Sequence, residues 1–193
     1  CECSTEGLQR LREARERFGL PQSDLGRVTI EVGDLKQKQI GLTNARLDQL
    51  AESVDTICHC AAEVNWVASY AALRDTNVLA VQELLALACR GKTAAFVFLS
   101  SLATCYSTDA PIEVSEDANP EDWFEGLHFG YARSKAVSET LVRKAGSRGL
   151  PVTILRPSLI TGDSFSGQGN KEDFVSLLIK GCIEMRYAPD LDW

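Results

Sequence analysis

The sequence predicts an α/β fold in which helices pack on a doubly wound parallel sheet. Three observations lead there. Short apolar runs alternate with segments whose apolar residues recur at helical spacing, the pattern of strand–helix–strand units. Each run ends in small, hydroxyl or acidic residues, where a sheet of this kind binds its ligands. A length of 193 residues, 45% of them apolar and 24% charged, suits one globular domain with a sizeable core.

Ser4-Thr5-Glu-Gly-Leu8 opens a first helix with a hydroxyl cap; Leu8, Leu11, Ala14 and Phe18 keep its period, and Gly19 stops it. Arg27–Gly33 alternates apolar and polar residues and reads as a strand, followed by Asp34-Leu35. Thr43 caps a short helix through Leu47, Leu50 and Ala51. Val54–Cys60 is the next strand, ending in Ala61-Ala62. A long helix follows from about Tyr70 to Cys89, closed by Gly91. Ala94–Leu99 is a strand ending in Ser100-Ser101, and an acidic loop carries Asp109, Glu113, Glu116, Asp117, Glu121 and Asp122. A helix at Gly130–Ser147, a strand at Val152–Leu155, a Gly/Ser-rich loop and a last helix from Lys171 to about Arg186 complete the order. There is no internal repeat and no low-complexity segment.

The chemistry centres on Tyr131 and Lys135. Four residues apart on a helix, they lie on one face. A lysine cation beside a phenol is expected to lower the phenol's pKa and make it a proton donor near neutral pH. A serine hydroxyl from the preceding strand end could bind the same carbonyl oxygen. Tyr-x-x-x-Lys alone is common on amphipathic helices; the Ser-Ser strand end before it and Leu155-Arg-Pro-Ser158 after it give it meaning.

That order of segments resembles the extended short-chain dehydrogenase/reductase family, whose fold is Rossmann-like. His59-Cys-Ala-Ala-Glu-Val-Asn-Trp66, Leu73-Arg-Asp-Thr-Asn-Val78 and Lys180-Gly-Cys-Ile183 are similar to the thioester reductase domains that end nonribosomal peptide and polyketide assembly lines, and to aminoadipate and carboxylic acid reductases. So is the end, Gly162-Asp163 through Pro189-Asp-Leu191. The resemblance implies Ser101, Tyr131 and Lys135 as catalytic residues. It implies a cofactor site of Asp34 and Leu35 at the adenine, Cys60, Ala61 and Ala62 under the backbone approach, Asn77 beside them, Lys135 on the ribose, and Pro157 and Ser158 at the nicotinamide. The implied cofactor is NADPH and the implied partner a phosphopantetheinyl carrier protein presenting an acyl thioester. Hydride attack, with Ser101 and Tyr131 binding the oxyanion, would then give an aldehyde and a free thiol, and a second hydride the alcohol. A nucleotide-sugar epimerase or dehydratase of the same superfamily shares Ser/Tyr/Lys, and a catalytically silent Rossmann-like interaction module is the third reading. Val64-Asn65-Trp66 favours the first.

One departure stands out. The family opens with a strand and a Gly-x-x-Gly-x-x-Gly turn that binds pyrophosphate at a helix N-terminus, and no such turn occurs in this sequence. The expectation is a piece of a larger protein lacking the N-terminal strand–helix–strand and most of a C-terminal substrate subdomain, with residues 1–160 a partial dinucleotide-binding domain and 161–193 the start of that subdomain.

A net charge of -7 with dispersed basic residues argues against a nucleic-acid surface. No stretch is long and apolar enough to span a bilayer, and Cys1-Glu-Cys-Ser does not read as a signal peptide. Seven cysteines, with Cys58, Cys60, Cys89 and Cys182 inside apolar runs, suit reduced thiols buried as small hydrophobes in a cytoplasmic enzyme. Cys1-x-Cys3 and Cys58-x-Cys60 are rejected as metal sites because only His59 and His128 could complete them.

Overall fold

The computed structural model describes residues 3–20 and 25–190. Cys1 of the first cysteine pair and Leu191 of the C-terminal resemblance lie outside the described residues. The chain divides into two compact units, one from Cys1–Val32 with Leu159–Trp193 and the other Gly33–Ser158.

In the first unit, α1 (Ser4–Arg17) ends where Gly19 takes φ +58, a value glycine adopts without strain. The expected hydroxyl cap is not made: Cys3 is the N-cap residue and gives no side-chain hydrogen bond, and Ser4 and Thr5, already the first and second helical residues, lie too late to serve. Arg27–Gly33 is not a strand. Leu25–Arg27 forms a single 3₁₀ turn, and the residues after it belong to none of the described strands. Alternation marks which side chains share a face, whereas a strand needs a neighbour's N–H and C=O groups. The C-terminal helix of this unit (Phe174–Met185) begins three residues later than the sequence suggests, at the Asp173 cap, whose Oδ1 accepts from Ser176 N at 2.9 Å.

The second unit holds the sheet. α2 (Asn44–Ser53) starts at Thr43, whose hydroxyl accepts from Arg46 N at 3.2 Å, as its sequence requires. β1 (Thr56–His59), β2 (Ala95–Leu99) and β3 (Val152–Leu155) form a parallel sheet in the order β1-β2-β3. Between β1 and β2 the chain climbs through α3 (Tyr70–Arg74), a π turn at Asp75–Leu79 and α4 (Ala80–Ala88). The predicted single helix is therefore continuous but widened at its middle. α5 (Gly130–Ser147) links β2 to β3 and has the predicted bounds, and the helix Phe174–Met185 of the first unit is α6.

Register and alternation together explain the core. Ile57, Phe96 and Val152 lie side by side, as do His59, Phe98 and Ile154. Phe96 and Phe98 are fully buried against Val81, Ala88, Val142 and Leu150 of α4, α5 and the turn after α5. Cys58, Val97 and Thr153 point to the opposite face. Cys58 and Cys60 are exposed, as is Cys89, so the expected burial of these thiols is overturned by the face on which each falls. A second cluster, Leu73, Ala103, Trp123, Leu127, Tyr131, Ala132 and Ala136, fixes the start of α5.

Gly130 lets α5 come that close. A Cβ there would meet Ala68 O at 2.3 Å and Tyr70 N at 2.5 Å, both rigid backbone atoms. Gly130→Ala should therefore cost about 1–3 kcal/mol in overpacking strain, read as a lowered urea midpoint with unchanged slope.

Candidate active site

The site lies at the carboxyl ends of the parallel strands, where α5 begins. Tyr131, Lys135 and Glu139 follow at intervals of four along α5, and all three are buried. Ser101, just beyond the β2 end, lies close enough to the Tyr131 phenol to pull its pKa down. Ser101 Oγ also accepts from Ala103 N at 3.1 Å, which starts the 3₁₀ turn Leu102–Cys105. Lys135 Nζ donates to Leu99 O at 2.6 Å and sits 4.3 Å above the Phe98 ring. Strand β2 thus supplies the floor for both groups.

The neighbouring Ser100 is committed elsewhere. Its hydroxyl donates to Glu139 Oε2 at 2.7 Å, and Glu139 has no exposed surface. Arg156 donates Nε to Oε2 at 3.0 Å and Nη2 to Oε1 at 2.5 Å, a two-pronged contact. Arg143 adds Nε to Oε1 at 2.9 Å. Both arginines also donate to Ala118 O, which pins the acidic loop beneath them. Sequence reading missed this cluster, although Glu139 and Arg143 continue the interval of four that starts at Tyr131.

The remaining predicted residues surround the strand ends. Cys60 and Ala61 are exposed and Ala62 half-buried just beyond β1. Asn77 is buried in the π turn with its amide fully engaged: Oδ1 accepts from Glu63 N at 2.8 Å, and Nδ2 donates to Glu63 O and to Ser134 Oγ at 3.0 Å each. It ties the loop after β1 to α5. Pro157 O accepts from Leu102 N at 3.0 Å, joining the ends of β2 and β3, and Ser158 is exposed beyond it. Asp34 is exposed, its carboxylate held in its own turn by Lys36 N at 2.9 Å and Gln37 Nε2 at 3.1 Å; Leu35 beside it is half-buried.

Residues 1–192 match the NAD_binding_4 family, Male sterility protein. The chain belongs to that family. It is 34% identical over 200 residues to the L-2-aminoadipate reductase large subunit of Eremothecium gossypii, covering 97% of this chain and 14% of that protein. It is 37% identical over 189 residues to a linear gramicidin synthase subunit from Brevibacillus parabrevis, covering 96% of this chain and 4% of that one. Among solved structures, the terminal R domain from the myxalamid PKS-NRPS biosynthetic pathway superposes with a TM-score of 0.93 at 37% identity, over 100% of this chain and 49% of that chain. The chain therefore spans about half the length of that domain and a small part of the curated relatives.

Membership of an NAD-binding family calls for groups able to hold a nicotinamide cofactor, and the side chains at the strand ends fit one. Lys135 is 3% exposed yet spends a single N–H on protein among the described hydrogen bonds, which leaves two donors for a ribose diol. Cys60 and Ala61 are small and open, and the Ser158 hydroxyl is exposed.

Electrostatics corrects one expectation. Burial holds the Tyr131 phenol above its ordinary pKa, with the nearby Ser101 hydroxyl pulling the other way, so the lysine does not acidify it here. The reason is geometric: the Lys135 ammonium turns to the Leu99 carbonyl and the Phe98 ring. Burial pulls Lys135 itself down to about 8, opposed by the Glu139 carboxylate and Cys60. His59, stacked on Phe98 at 6.0 Å, is pushed down to about 4 by burial, then by the Lys135 charge, so it is neutral at physiological pH. Glu139 stays below the ordinary carboxylate range: burial opposes its charge, but hydrogen bonds from Arg156, Ser100 and Arg143 outweigh that cost.

Two outcomes follow from these contacts. Glu139→Ala leaves the Arg156 guanidinium, 11% exposed, without its partner, and should destabilise the fold by about 3–5 kcal/mol in urea titrations. Because the folded Lys135 loses its proton near pH 8 and the unfolded lysine near about 10.4, the unfolded chain binds the extra proton between those values and stability rises with pH across that window. Thermal melting should accordingly show wild type gaining on Lys135→Met from pH about 8 to about 10, and an opposite trend would contradict the buried ammonium.

Proposed function

We propose that this chain is part of a reductase that converts an acyl thioester, carried on the phosphopantetheine arm of a carrier protein, to an aldehyde with NADPH as reductant. The observation that carries the reading is the convergence of Ser101, Tyr131 and Lys135 at the ends of β2 and α5, in a chain that is 37% identical to a terminal R domain. The names of the relatives, an aminoadipate reductase and a gramicidin synthase, support the thioester and carrier parts. In this reading residues 1–160 belong to the cofactor domain and 161–193 begin the substrate subdomain, and the protein works in the cytoplasm. No helix among the described residues is long and apolar enough to cross a membrane.

The residues divide the chemistry between them. When bound, the nicotinamide supplies the hydride. As the thioester carbon becomes tetrahedral its oxygen gains negative charge, and the Ser101 hydroxyl and Tyr131 phenol donate hydrogen bonds to it. Tyr131 is the proton donor. Its raised pKa keeps it protonated until that charge develops, and Lys135 anchors the ribose. Loss of the thiol gives the aldehyde. Cys60, Ala61 and Ala62 let the cofactor approach the backbone, Asn77 sets the loop beside them, Asp34 and Leu35 face the adenine end, and Pro157 and Ser158 the nicotinamide end.

In the intact protein, Tyr131→Phe should lower kcat by about 10²- to 10⁴-fold while leaving NADPH affinity in place, since only the donated proton is lost. Lys135→Ala should damage both. Acyl-pantetheine thioesters should be consumed and UDP- or dTDP-sugars left untouched; epimerised sugar with no thioester consumed would reassign the protein.

A further inference from the structure

Four aromatic rings from three separate stretches meet at the catalytic tyrosine. The Trp66 indole lies edge-on to Tyr131 with ring centroids 5.3 Å apart, edge-on to Phe129 at 5.8 Å, and stacked with Tyr106 at 6.3 Å. Tyr131 is buried, but the other three are 38–48% exposed, and Val67 beside them is almost wholly so. Uncharged surface of this size, gathered next to a proton donor, is costly to leave in water and is the usual lining of a small-molecule site. A cavity of about 300 Å³ opens beside Trp66 and Phe129, bounded also by Val67, Tyr70 and Arg133.

We propose that Trp66, Tyr106 and Phe129 form the wall that receives the acyl chain of the substrate, and that it selects medium-length aliphatic or aromatic acyl groups over short ones. The assignment rests on the thioester-reductase reading and follows from reach. A carbonyl oxygen bound between Ser101 and Tyr131 holds its carbon within a few ångströms of the phenol, so the carbons attached to it meet the rings packed around Tyr131. Trp66 is the hub, touching the other three. Asn65 fixes its loop, with Oδ1 accepting from Val67 N at 3.1 Å and Ala68 N at 3.0 Å. Each methylene laid on the rings adds apolar burial that an acetyl group cannot supply.

The experiment compares octanoyl-pantetheine with acetyl-pantetheine in the intact protein, and adds calorimetry with a non-reducible octanoyl-pantetheine amide without reductant. Trp66→Ala should lower the octanoyl-to-acetyl ratio of kcat/KM by about tenfold or more and weaken amide binding by a similar factor. Tyr106→Ala, whose ring contacts Trp66 and not Tyr131, should lower both in the same direction by a smaller factor, and it carries the test alone if Trp66→Ala misfolds. Wild type that reduces both thioesters, with a ratio unmoved in either variant, overturns the wall and leaves the reductase reading standing. Wild type that reduces neither overturns both.

Discussion

A carboxylate with no access to water sits behind the site, and much of the second unit is arranged to satisfy it. An isolated buried charge of this kind would be too costly to keep ionised. Glu139 stays ionised because Arg156, Arg143 and Ser100 converge on it from the end of β3, from one turn further along α5 and from the end of β2. Those three segments also carry the candidate site residues Ser101, Tyr131, Lys135 and Pro157. Satisfying one carboxylate therefore fixes where the β2 end lies against α5, and so where Ser101 meets Tyr131. It also accounts for the different fates of the two adjacent serines, Ser100 on the carboxylate and Ser101 beside the phenol at the start of the turn Leu102–Cys105.

A second polar tie works beside it. Asn77 is buried, and its side-chain amide holds both backbone groups of Glu63 and the Ser134 hydroxyl. Ser138 one turn later donates to Asn77 O at 2.6 Å. The loop after β1, which leads to Trp66, is thereby fastened to the same helix that carries Tyr131 and Lys135. Polar groups removed from water demand partners with defined geometry, so these ties specify one arrangement where apolar packing alone would tolerate several.

The parts of this fold written in local signals were legible in the sequence. Thr43 as a cap, the 3.6-residue period of α5 and the apolar runs of β1, β2 and β3 each depend on near neighbours, and the structure follows them. Tyr131 and Lys135 could be paired because one helix turn places them together. What escaped depends on distant partners. Arg27–Gly33 has the alternation of a strand yet belongs to none of the described strands. Glu139 is seventeen residues from Arg156, and nothing local announces that their charges cancel in the interior. The lysine's direction was also invisible, because the carbonyl that captures it belongs to Leu99, thirty-six positions earlier.

The π turn between α3 and α4 has a further consequence. A wide turn takes up one more residue than an α turn, and one residue is worth about 100° of rotation about the axis. On a uniform α-helix Leu73 and Val81, eight residues apart, would diverge by about 80°, and the wide turn takes most of that divergence away. Leu73, before the turn, packs with Trp123, Leu127 and Tyr131; Val81 and Ala88, after it, pack with Phe96 and Phe98. Two turns apart on one face, Leu73 reaches the cluster around Tyr131 and Val81 the cluster on the sheet, so one uninterrupted helix serves two cores.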